Sequence, residues 1–223
     1  MNFNIILDFL SDLRVNNNRE WFKENNERYQ KAKSQFERFV ENLLPEIKQF
    51  DNTIDILSPK EFMFRIFRDV RFSKNKAPYK TNFGAFIAPG GRRSPYAGYY
   101  VHMEPGHSFL GGGIYQPDPK ILFAVRTRIF NNPDRFKEII QNKDFKKYFP
   151  EIYGEKLKTA PRGFPRDFTD IDLLKHKHYA IACKVDDTFW LEGRILDKVV
   201  DVFKNQYAFN HYLNQTIINV TGA

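Results

Sequence analysis

Apolar residues at helical spacing open the chain: Ile5, Ile6, Phe9, Leu10 and Leu13 form one stripe over residues 4–15. The run Asn16, Asn17, Asn18 then stops it. A second helix is expected from Asn17, which would cap the new N-terminus with Glu20 at the capping-box position. Along it Phe22, Tyr29, Phe36 and Leu43 recur every seven residues, with Phe39 and Val40 filling in, until Pro45 ends the pattern. One amphipathic helix lying on a sheet accounts for this repeat better than a coiled coil.

From about residue 54 to 115 the pattern changes to β-branched and aromatic runs punctuated by Gly and Pro. TNFGAFIAPG, YAGYYVHMEPG and HSFLGGGIY are successive strand candidates, and the short turns between them imply an antiparallel meander. The preceding SPKEF reads as a helix start, with Ser58 as cap and Pro59 at the first position, so one helical turn followed by a strand is expected across 58–71. Helices return at Asp118-Pro119 and at Asn132-Pro133, and residues 150–170 form a Pro/Gly-rich loop. HYAIACKV is a further strand, and Asp186 or Asp187 would cap a C-terminal helix with Leu196, Val199, Val200, Phe203 and Tyr207 on one face. The class is α+β: a mostly antiparallel meander packed against several helices, without internal repeats.

At 223 residues and 42% hydrophobic content the chain is long enough for a sizeable core, and one domain over 1–223 is expected. With 23 Phe and 11 Tyr, much of that core should be aromatic. A lone cysteine, Cys183, excludes an intramolecular disulfide and a cysteine-based four-ligand metal site. The N-terminus lacks a basic stretch before its apolar residues and meets Asp8 and Asp12 early, no apolar run is long enough to span a bilayer, and a cytoplasmic protein without a membrane partner is expected.

Charge singles out one segment. Residues 60–93 hold nine basic side chains against Glu61 and Asp69, so this stretch carries +7 of the net +8. At its centre stands RIFRDVRFSKNKAPYK, residues 65–80.

REWF near the N-terminus, FRIFRDVRFSKNKAPYKTNFGAF, AGYY, GGGIY and PRGF, in this order, resemble the DUF2461 family of bacterial and fungal proteins over nearly the whole chain. The signature of that family falls here on Arg65, Arg68, Asp69, Arg71, Phe72, Asn75, Lys76 and Tyr79. The resemblance implies a family of unknown function and brings no activity, cofactor or catalytic residue with it.

The chemistry is therefore argued from the residues. Arginine offers a planar fork of donors suited to phosphate or carboxylate, and lysine adds a mobile point charge. Arg65, Arg68 and Arg71 are expected to bind a phosphorylated or other anionic ligand, with Lys76 and Lys80 adding charge, Asp69 orienting an arginine and Tyr79 contacting the rest of the ligand. Two other readings stay open. The arginines can pair with acids such as Glu20 or Glu24 and serve the fold alone, or the segment can bind nucleic acid with Phe67, Phe72, Tyr79 and Phe83 as stacking groups. An enzyme would draw its acid or base from Asp69, Tyr79, Tyr99 or His102.

Other features read as structural. Gly111, Gly112 and Gly113 precede a helix but lack the Lys-Ser/Thr of a phosphate loop, which makes a bulge or close strand packing the better account. His176 and His178 would share one side of a strand if it starts early enough, yet no spacing links them to His102 or His107 as metal ligands. Trp21 is expected to pack, Cys183 to be a small buried residue, and Arg162 in PRGF to be an exposed loop residue.

Overall fold

A computed structural model describes residues 1–222 of the chain. Three helices come first: α1 (Asn4–Val15), α2 (Arg19–Glu24) and α3 (Asn26–Lys48). The long helix expected from Asn17 is thus two, broken at Asn25. Its cap is Asn18, whose side chain accepts from the Trp21 N–H, and the side chain of Asn17 is taken up elsewhere. Pro45 does not end α3, because Leu44 and Ile47 on either side are held in the core and this packing outweighs the one backbone bond proline removes.

A 3₁₀ turn at Pro59–Glu61 leads into an extended segment. It does not form the expected regular strand. Phe64 donates to the carbonyl of Gly84 and Phe86 to that of Phe62, while Phe67 bridges Tyr79, so residues 62–80 make an irregular hairpin on the sheet edge. The sheet comprises β1 (Phe83–Ile87), β2 (Gly98–Met103), β3 (Phe109–Ile114) and β4 (Tyr179–Lys184), antiparallel in the order β1-β2-β3-β4. Between β3 and β4 run α4 (Pro119–Asn131), α5 (Pro133–Ile140), α6 (Lys143–Tyr148) and α7 (Ile171–Leu174). Asp118 and Asn132 cap α4 and α5 as expected. Asp186 caps a 3₁₀ turn at Asp187–Leu191 rather than the C-terminal helix, and α8 (Ile195–Thr221) starts after Arg194, whose φ is 60°. Among the described residues no helix is long and apolar enough to cross a membrane.

Strand register sorts the sheet into two faces. Phe83, Ala85, Ile87, Tyr99, Val101 and Leu110 face α3 and α8, where Phe36 packs 5.5 Å from Phe83 and Phe203 packs 5.2 Å from Tyr99 between ring centres. Gly84, Phe86, Tyr100, His102 and Phe109 lie on the opposite face.

α8 also fixes the sheet through polar side chains. Gln206 and Asn210 both donate to the carbonyl of Gly98, and Asn214 accepts from the Ala97 N–H at 2.7 Å while donating to the Ala97 carbonyl at 3.1 Å. These groups are buried, so each bond also prevents a stranded donor or acceptor. Asn214→Leu is expected to lower unfolding stability by about 2 kcal/mol. Urea denaturation checks this, and a loss under about 0.5 kcal/mol would mean the pair contributes nothing net.

Candidate functional site

The basic hairpin is built on an aromatic stack. Tyr79 is buried with its ring 3.9 Å from that of Phe22 and nearly parallel to it, and Phe67 leans on both rings. Asn17 bonds both the N–H and the carbonyl of Tyr79, which ties the hairpin to the α1–α2 junction. Tyr79 and Phe83 are core residues, which removes these two from the stacking groups of the nucleic-acid reading: the same aromatic-next-to-cation pattern serves a core when the next layer is a helix.

The arginines take different partners. Arg68 turns into its own hairpin, donating to the carbonyl of Ala77 at 3.0 Å and to the Ser73 hydroxyl at 3.3 Å. Arg71 folds back on Asp69 through two bonds of 3.0 and 2.7 Å, and this exposed pair holds the Asp69 carboxyl below its usual range. Lys76 donates to the carbonyls of Val70 and Arg71. Neither Glu20 nor Glu24 pairs with them among the described residues. Lys80 donates its backbone N–H to the carbonyl of Ile66, and among the described residues the side chains of Arg65 and Lys80 make no hydrogen bond or ion pair. Lys80 is half-buried with its ammonium 5.4 Å from the centre of the Phe64 ring, and burial together with the charge of Arg65 lowers its pKa.

A pocket of about 270 Å³ opens inside this segment. Arg68, Lys80, Asn17, Asn75, Thr81 and Asn82 contribute to its wall, and no carboxylate does. A larger groove of about 850 Å³ between α4 and the end of α8 is lined mainly by apolar atoms, and its one cation, Arg128, is bound to the Tyr212 carbonyl and to Thr216. Its charge is therefore already engaged within the fold.

Behind the smaller pocket lies a polar chain. Thr81 donates to Glu104, whose other oxygen lies 3.1 Å from Nε2 of His102, and Nδ1 of His102 lies 3.0 Å from the Tyr100 hydroxyl. Asn82 approaches the same Nδ1 at 3.4 Å, and Phe109 stacks on the imidazole at 4.6 Å. Burial lowers the pKa of His102 despite Glu104, and it pushes Tyr100 up to about 12 with help from the Glu104 charge. Burial of Glu104 is outweighed by the bonds from Thr81 and His102, so its carboxyl stays low. The imidazole is therefore neutral near pH 7, carries its proton on the nitrogen facing Glu104, and accepts from Tyr100.

Of the acid and base candidates, His102 belongs to this chain. Tyr99 does not: it points to the helix side, fully buried, and donates to Asp51 at 2.8 Å. Tyr100 and Glu104 were not among the candidates, although their two-residue spacing from His102 puts all three on one strand side. His176 and His178 precede β4 and share no strand, since β4 begins at Tyr179. Among the described residues no group of three or more His, Cys, Asp or Glu could hold a metal. Cys183 is half-buried with its thiol pKa pushed up by burial, and Arg162 is exposed on its loop.

No match is found among curated proteins or solved structures. Residues 5–212 match the family described as Conserved hypothetical protein (DUF2461), and the chain belongs to that family.

Proposed function

We propose that the pocket between Arg68 and Lys80 binds a phosphorylated or otherwise anionic ligand. The observation that carries this reading is the composition of the wall: two cations and the amides of Asn17, Asn75 and Asn82 converge on about 270 Å³ with no carboxylate among them, the Thr81 hydroxyl being held by Glu104 behind it. A half-buried ammonium without a counter-ion is electrostatically unfavourable on its own, and a bound anion relieves it. Arg68 is already anchored to Ala77 and Ser73, so it presents its remaining donors from a fixed position. Lys80 supplies the uncompensated charge, and Arg65, outside the wall but near enough to lower the pKa of Lys80, adds to the positive field. Arg71, Asp69 and Lys76 shape the hairpin that carries them, and Tyr79 fixes its base.

Calorimetric titration with inorganic phosphate, pyrophosphate and simple phosphomonoesters tests the reading. Lys80→Met keeps the stem against Phe64 and removes the charge, and it is expected to weaken binding about tenfold or more, as for loss of a charged hydrogen bond. Failure of every anion to saturate the protein, or equal binding by wild type and Lys80→Met, would remove this function from the pocket.

A further inference from the structure

We infer that the anion bound here is the phosphodiester backbone of a single-stranded nucleic acid whose bases stack on the exposed phenyl rings of the same hairpin. The inference rests on the anion-binding reading above and names its ligand class. Its own observation is the exposure of aromatic rings that alternate with arginines. Phe64 is 37% exposed, Phe67 48% and Phe72 96%. They fall in the sequence Phe64, Arg65, Ile66, Phe67, Arg68, Asp69, Val70, Arg71, Phe72, and outside this segment Phe123, on α4, is the one other exposed phenylalanine among the described residues.

Each ring has a definable free surface. Phe67 rests on Tyr79 and Phe22 with centroids 5.5 and 5.9 Å away and turns its other side outward. Phe72 sits at the hairpin tip, almost fully exposed, with the Arg71 guanidinium 5.9 Å from the ring centre. Phe64 stands between Lys80 and Tyr100. A ring left this open adds little to folding, and an apolar protein interface would gather such rings into one patch free of charge. Here cations separate them. Alternation of cations with open rings is the chemistry that tracks a single strand: the backbone follows the charge, and every base has a face to stack. A duplex hides those faces.

The test compares a short labelled oligothymidine, its duplex with oligoadenylate, polyphosphate of matched phosphate number, and vesicles containing phosphatidylglycerol, read by anisotropy and co-sedimentation. The single strand is expected to bind about tenfold more tightly than matched polyphosphate, the difference made by stacking. Phe72→Ala should reduce oligothymidine affinity about tenfold and leave polyphosphate and pyrophosphate binding unchanged, and Phe67→Ala, whose ring also packs in the stack beneath the hairpin, should reduce oligothymidine affinity at least as far. Phe72 contacts so little that its variant should melt with the wild type, which separates lost stacking from lost folding. Equal affinity for oligothymidine and polyphosphate would overturn the inference while the anion pocket stands, as would unchanged oligothymidine binding in both variants. Binding to vesicles but not to oligothymidine, lost in Phe72→Ala, would assign the rings to a lipid surface and overturn it equally. Absence of binding to any phosphate compound would instead defeat the anion-binding reading itself.

Discussion

Gly112→Ala is expected to abolish cooperative folding. A β-carbon at this position would lie 1.9 Å from the carbonyl oxygen of Gly98 and 2.3 Å from Nε2 of Gln206. Neither neighbour can yield cheaply. The Gly98 carbonyl is fixed by donors from Gln206 and Asn210, so moving it breaks the polar link between α8 and β2. The adjacent glycines are equally constrained: a β-carbon on Gly111 would meet the Ile181 carbonyl at 2.1 Å, and Gly113 has a φ of 85°. The three glycines therefore let β2, β4 and α8 close on β3, which is the close packing expected of them rather than a phosphate loop. The loss should exceed about 4 kcal/mol, the range reached only by a few severe mechanisms. Gly193→Ala is the control, since nothing lies within 4 Å of its β-carbon. Circular dichroism and thermal melting should show a normal transition for Gly193→Ala and none for Gly112→Ala. A Gly112→Ala protein that melts close to wild type would mean that the sheet has slack at this point.

How legible these features are depends on how local their causes are. The stripe of Ile6, Leu10 and Leu13, the caps Asp118 and Asn132 with their following prolines, and the strands around Tyr99 and Ile181 are each decided within a few residues, and they lie where the pattern puts them. Pro45 and Asp186 misled for the same reason in opposite directions. A breaker was overruled by packing on both sides of it, and a good cap was used by a short 3₁₀ turn four residues before the helix could begin. In the site, the basic cluster is plain from composition, but the division of labour inside it is tertiary. Nothing local tells that Arg68 turns inward to Ala77 while Lys80 stays unpaired, or that Thr81 reaches Glu104 across the sheet edge. The alternation Tyr100, His102, Glu104 was visible as one strand side, yet its meaning came only with the neighbours that desolvate it.

Acid is expected to unfold this protein earlier than its carboxylates alone would, through His176. The side chain is 5% exposed, its Nδ1 is buried without a hydrogen-bond partner, and its backbone carbonyl is held by Arg126 at 2.8 Å. Burial, followed by the charge of Lys156, lowers its pKa from 6.5 to about 4 against the smaller opposing pull of Asp172, and His178 and Arg126 add lesser contributions in the same direction as burial. The folded protein thus keeps the imidazole neutral where the unfolded chain would already be protonated. Above pH 6.5 neither state takes up the proton and stability is unaffected. As pH falls from 6.5 towards 4 the unfolded state binds a proton the folded state refuses, and stability falls by about 1.4 kcal/mol per pH unit, in all about 3 kcal/mol. Below that range both states are protonated and the contribution stops growing. His102, whose pKa burial also lowers, adds loss of the same sign just below its ordinary range. Urea unfolding measured from pH 7 to 4 in wild type and His176→Phe separates this from carboxylate titration. The variant should lose about 3 kcal/mol less over that span, and parallel curves would show that His176 takes up its proton in the folded state as readily as in the unfolded one.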